Sequence, residues 1–150
     1  MASFSASGNT ALTTTRKTVT AAVQPAAATA LGLMHRVHLG SVGTPADVSV
    51  EWIIQRQSTL GTGTAVTPTD EDDTGSTPTI LARSNYTVEP TLVANTVLFD
   101  LGINLRSAFT IMLATGREWR MQVTNNRGIG VGALHATSTA TVNSVVAWVE

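Results

Sequence analysis

The sequence predicts an all-β protein, a jelly-roll-like antiparallel β-sandwich with an extended N-terminal arm. Three observations carry that expectation. Apolar residues recur with period two in segment after segment, the spacing of a half-buried strand. Clusters of Gly, Pro, Asn, Asp and Thr separate these segments, as turns do between short strands. No stretch of ordinary helix length carries a helical apolar pattern. About eight to ten strands are expected, a number that suits a jelly roll.

Residues 1–23 form the first unit, an N-terminal arm or first strand, and residues 24–150 a single jelly-roll domain. Within the first unit "ALTTTRKTVTAAV" alternates weakly and is rich in Thr, so it reads either as a strand or as an arm laid on a neighbour. "PAAATALG" follows and is the best helical candidate, held to a turn or two by Pro25 and its brevity. In "LMHRVHLGSV" one face carries Leu33, His35, Val37 and Leu39, and in "VSVEWIIQ" one face carries Val48, Val50, Trp52 and Ile54. Further on, Val97, Phe99, Leu101, Ile103 and Leu105 align, then Phe109, Ile111 and Leu113, then Trp119, Met121 and Val123. The turns between them are read in "GSVGTPAD", "GTGT", "TPTDEDDTGSTPT", "EPTLVANT", "ATGRE" and "TNNRG".

The stretch "TNNRGIGVGALH" tests a phosphate-loop reading and fails it. A dinucleotide fingerprint needs G-x-G-x-x-G at the opening of a helix within a βαβ unit. Here the spacing is G-x-G-x-G and a Thr/Val-rich, period-two segment follows. No Gly-Lys-Ser/Thr occurs either. On a strand, Ile129, Val131 and Ala133 share one face while Gly128, Gly130 and Gly132 share the other. A face without side chains lets another backbone come close, from a second sheet element or a second subunit.

Composition narrows the function classes. Nine basic and ten acidic residues give a formal net charge of -1, and the basic ones are scattered, so no nucleic-acid partner is expected. Charged residues make up 13% of the chain, about half the share of an ordinary soluble domain. Such a surface suits neighbours as well as water. There is no cysteine, which removes disulfides, thiol nucleophiles and zinc-cysteine sites. The N-terminus does not read as a secretory signal, having no basic segment leading into an apolar one. The most apolar segment is interrupted by Gln24, Pro25, Thr29 and His35 and falls short of the roughly 20 apolar residues of a membrane span. No membrane partner is expected.

Site chemistry is sparse. His35 and His38 form H-x-x-H, but residues three apart on a strand point to opposite faces, so no metal is expected there. Asp70, Glu71, Asp72 and Asp73 run consecutively and cannot all converge on one ion, and the EF-hand spacing is missing. They read as a solvated loop that could serve as a contact. No G-x-S-x-G elbow occurs, and Trp52, Trp119 and Trp148 fall on apolar strand faces. No catalytic residue, cofactor or enzymatic activity is expected. The interface candidates are Thr13, Thr14, Thr15, Arg16 and Lys17 in the arm, Asp70 to Asp73 in the acidic loop, and Gly128, Gly130 and Gly132.

The order of features from residue 39 onward resembles the capsid decoration, or cement, proteins of tailed bacteriophages. The residues that carry the resemblance are "LGSVGTPADVSVEWIIQRQSTLGTGTAVTP", "ARSNYTVEPT" and "NNRGIGVGALHATSTATVNSVVAWVE", about half of the chain. The resemblance implies a jelly-roll virion protein that binds the major capsid protein on the outer surface of the head and reinforces the lattice, often as a homotrimer. Two other classes fit the strands. A trimeric module like tumour necrosis factor would display a ligand surface, and a carbohydrate-binding module would need an exposed aromatic platform. A hydrolase is a more distant third.

Overall fold

Most segments that alternate small or polar with apolar residues become strands, because successive side chains point to opposite faces of a sheet. The computed structural model describes residues 1–26, 30–123 and 127–150. Among them lie twelve strands: β1 (Ser3–Ala11), β2 (Lys17–Val23), β3 (Gly32–Ser41), β4 (Ser49–Gln57), β5 (Thr62–Val66), β6 (Thr69–Asp70), β7 (Leu81–Val88), β8 (Leu92–Asn104), β9 (Phe109–Met112), β10 (Trp119–Met121), β11 (Gly128–Leu134) and β12 (Thr141–Val149). They form two six-stranded sheets. One runs β10-β3-β12-β1-β6 with β9 also paired to β3, and the other runs β5-β7-β2-β11-β4-β8. Every pairing is antiparallel.

The sheets pack face to face around one main core. The first sheet contributes Phe4, Met34, Val37, Leu39, Val142, Val146 and Trp148, and the second contributes Val19, Val50, Trp52, Ile54, Ile129 and Val131. Phe4 and Trp148 meet across β1 and β12 with ring centroids 6.3 Å apart. The chain is therefore an all-β, two-sheet antiparallel sandwich.

The N-terminal residues do not extend away from this body. β1 pairs with β12 along its whole length, from Ser3↔Val149 to Ala11↔Thr141, and β2 lies between β7 and β11. Some of the small hydroxyl residues that make this segment look unfit for a core are buried all the same, while Ser7 and Thr13 to Thr15 stay exposed. Thr18 and Thr20 are fully buried, and the Ser144 hydroxyl donates to Thr20 Oγ1 at 2.9 Å across the sheets. Gly8 marks the closest approach. A Cβ placed there would lie 2.5 Å from Ser84 Cβ and 2.7 Å from the Val19 carbonyl oxygen.

Two expectations about faces need correction. In β3 the core-facing residue is Met34 rather than Leu33 or His35, because the register with β12 slips where Trp148 pairs with Met34 and Ala147 with Arg36. His35 is the extra residue of that bulge, which restores Val37 and Leu39 to the core. Ile103 in β8 and Leu105 just beyond it are buried, yet Leu101 stays 42% and Val97 50% exposed. β8 closes its sheet with β4 as its one neighbour, so the cover thins along its length. Of the "PAAATALG" segment, Ala27 to Thr29 lie outside the described residues, and Gly32 already opens β3. "TPTDEDDTGSTPT" is not purely loop, since Thr69–Asp70 adds to the edge of β1 as β6. "GTGT" and "EPTLVANT" run into β5 and β8.

Candidate functional site

Thr13, Thr14 and Thr15 form the exposed turn from β1 to β2. The Thr13 hydroxyl donates to the Thr15 carbonyl at 2.7 Å, and the His135 amide donates to the Thr13 carbonyl at 3.1 Å. Arg16 and Lys17 then turn inward over the outer face of the β2–β11 pair. Lys17 Nζ donates to the Tyr86 carbonyl at 2.7 Å and lies 3.4 Å from Glu89 Oε1. Glu89 Oε2 accepts the Thr18 amide at 2.8 Å. Burial pushes the Arg16 guanidinium below its ordinary value while the Glu89 carboxylate pulls it upward. Burial also pushes the Tyr86 phenol well above its usual range, with Arg83 lowering it and Glu89 adding to the rise. The charges of the first unit thus serve a packed polar cluster within the chain. Glu89 is its anionic centre, and nothing local in the sequence marks it for that role.

This cluster also explains the glycines. Ile129, Val131 and Ala133 face the core, and the opposite face of β11 is filled by the chain itself. A Cβ on Gly132 would meet Arg16 Nε at 2.3 Å, one on Gly130 would meet Gln57 Oε1 at 2.9 Å, and one on Gly128 would meet the Ala22 carbonyl oxygen at 2.2 Å. The occupants come from the flanking strands β2 and β4 and from Arg16 just before β2. Gly128, Gly130 and Gly132 are buried.

The acidic loop is tied to β1 and β3. Asp70 accepts the amides of Asp72, Thr74 and Ser76 and the Thr74 hydroxyl. Desolvation opposes ionisation, but those hydrogen bonds outweigh it and hold the carboxyl below its ordinary value. Glu71 accepts the Ser3 hydroxyl at 3.0 Å and pairs with Arg36. That ion pair links the far side of β6 to β3, so it must cross β1 and β12. The residue beneath is Ala147, register partner of both Ser5 and Arg36, whose small side chain is fully buried. Asp72 accepts the Ser3 amide at 2.9 Å. Asp73 is exposed, with φ of 50°.

The histidines are apart in role. His38 Nδ1 shares a hydrogen bond with Thr110 Oγ1 at 2.8 Å, and His135 Nδ1 accepts the amides of Thr137 and Ser138. Among the described residues no group of three or more His, Asp or Glu side chains converges as a metal site. Trp52 and Trp148 are buried and Trp119 is partly buried against the same core.

One side of the sandwich is open. There β8 ends one sheet and β9 borders the other, and the rings of Phe99 and Phe109 bridge them, stacked with centroids 6.0 Å apart. Val97, Leu101, Phe109 and Met112 are all exposed along these strands, Met112 by 74%. Asp100 is the one charged residue in the thirteen of β8. Sequence reading missed this exposed apolar surface. Its signal was present in the nearly uncharged apolar run of β8, which alternation alone assigned to the core.

No protein family, curated protein or solved structure matches the chain.

Proposed function

We propose that this chain is a non-catalytic structural protein of a tailed-phage head, a jelly roll that binds the outer capsid surface and associates with further copies of itself. The observation that carries this reading is the open β8–β9 side. Native proteins usually protect a long edge strand with charge, proline or a covering element. β8 has an apolar edge with a single charge, the condition under which edge or side-by-side association is favourable.

The strand order supports the jelly-roll part of the reading. Taking β1, β2, β3, β4, β8, β9, β11 and β12 in sequence, the chain yields β1-β12-β3-β9 in one sheet and β2-β11-β4-β8 in the other. Those are the two interleaved four-strand orders of nested Greek keys. β5, β6 and β7 are then an insertion that widens the sandwich beyond β2 and β1, and β10 is a short addition beside β3. A charged fraction of 13% favours a surface engaged with neighbours. The trimeric ligand-binding alternative shares the fold, but burial of Trp52 and Trp148 removes two of the three tryptophans from any sugar-stacking platform.

The test uses purified protein, phage heads stripped of it, and the double variant Val97→Lys/Leu101→Lys. The wild-type chain should sediment as an oligomer, most simply a trimer, and co-sediment with heads at saturating stoichiometry. The double variant should remain folded by circular dichroism and lose self-association. A wild-type chain that stays monomeric and leaves the heads bare refutes the proposal.

A further inference from the structure

A pocket of about 260 Å³ opens where β4 ends, β8 begins and the chain leaves β10 for β11. Two guanidinium groups line it, those of Arg56 and Arg127. Each is steadied by a neutral acceptor of the same chain. Arg56 Nη1 donates to the Arg120 carbonyl, and Arg127 Nη1 donates to Gln122 Oε1 at 2.8 Å. The ion pairs among the described residues join Lys17 to Glu89, Arg36 to Glu71 and Arg106 to Asp47, so neither pocket arginine is neutralised by one of them. The rest of the wall is uncharged: Gln57, Gln122, Thr96, Val93 and Gly128.

A guanidinium carries five N–H donors in a planar fork, and among the described residues each of these two donates through one nitrogen. Both side chains border the concave space, Arg56 half-buried and Arg127 exposed, so donors remain on each for a ligand. Charge-assisted hydrogen bonds from such forks match the planar oxygens of a carboxylate or the tetrahedral ones of a phosphate. The pocket lies just below the ~300–1,000 Å³ usual for small-molecule sites, which sets the ligand at single-ring or short-chain size.

The geometry points to a small-anion site, in which a carboxylate or phosphate group sits between Arg56 and Arg127. Gln122 Nε2 offers a hydrogen bond to the ligand's oxygens, while Thr96, whose hydroxyl donates to the Val93 carbonyl, and Gln57, whose Nε2 donates to the Thr59 carbonyl, shape the wall beside the apolar Val93. Val93 and Thr96 belong to β8, so the site abuts the strand edge invoked above, but its argument uses no contact proposed for that edge.

The test is a two-dimensional NMR titration of the full chain at constant ionic strength with inorganic phosphate, benzoate and neutral benzamide. Saturable shifts are expected at the amides of Gln57, Thr96, Gln122 and Gly128 with at least one of the two anions, and none with benzamide. The tighter anion identifies the group preferred. Arg127→Gln should weaken binding about tenfold or more, the loss expected for a hydrogen bond to a charged group, whereas Arg106→Gln should leave it unchanged. Should Arg56→Gln fail to fold, because Arg56 joins β4 to the Arg120 carbonyl, Arg127→Gln alone decides. Shifts that do not saturate with either anion, that appear equally with benzamide, or that survive Arg127→Gln overturn the site.

Discussion

Replacing Gly8 by Ala tests whether the first strand is built into the body. The added Cβ would lie 2.5 Å from Ser84 Cβ, 2.6 Å from Thr20 Oγ1 and 2.7 Å from the Val19 carbonyl oxygen. Carbon atoms sit comfortably about 3.5–4.0 Å apart, so the sheets would have to separate by roughly 1 Å at this point. Two of the three obstacles cannot swing aside, since one is backbone and one is a Cβ. Overpacking of this kind costs about 1–3 kcal/mol. The intrinsic gain of alanine over glycine in a strand is about 0.5–1 kcal/mol and only partly offsets it. The balance is a loss of about 1–2 kcal/mol, which lowers Tm by about 2–8 °C for a domain of this size. Thermal and urea unfolding followed by tryptophan fluorescence measures it. Ser7→Ala, on the exposed face of the same strand, should change stability by less than about 0.5 kcal/mol, and Ser84→Gly in the Gly8→Ala background should recover part of the loss. An unchanged Tm for Gly8→Ala would show that β1 is not clamped between the sheets.

Deleting residues 2–15 should abolish cooperative unfolding rather than leave a stable body without its arm, because it removes Phe4 and Leu12 from the core; a truncated chain melting like the full one contradicts this. Trp148→Ala should destabilise by about 3–5 kcal/mol, while Trp148→Phe should cost clearly less, since the buried indole Nε1 has no hydrogen-bond partner among the described residues; urea denaturation separates the two. The lowered Asp70 value means that the order it gives its loop is fully present above the ordinary 3.8 and is lost as pH falls through the folded value. An NMR titration of the Asp72, Thr74 and Ser76 amides should therefore show a midpoint below 3.8, and a midpoint at or above that value refutes the hydrogen-bond account.

The fold class was legible because alternation is a local signal. Val50, Trp52 and Ile54, and Ile129, Val131 and Ala133, fall on the core face as period two requires. Faces were misread where the period breaks or the partner is missing. The bulge at His35 is set by pairing with β12, which no window of β3 reveals. The exposure of Val97 and Leu101 follows from the place of β8 at the end of its sheet, a property of topology rather than of sequence. The first strand was obscured because Ser, Thr, Ala and Gly look like an arm until two sheets are seen to need small residues at Gly8 and Thr20. The glycine face was rightly read as a place of close approach, but the occupant, Arg16, comes from residues more than a hundred positions earlier.

The central claim is the role of the sandwich on a phage head. Electron cryomicroscopy of tailed-phage heads assembled in cells that make this chain tests it most directly. The account predicts copies of the two-sheet body at regular lattice positions on the outside of the shell, with the β8–β9 side buried against a neighbouring copy. Heads with a bare outer surface, or bound copies whose β8–β9 side faces only solvent, would contradict it.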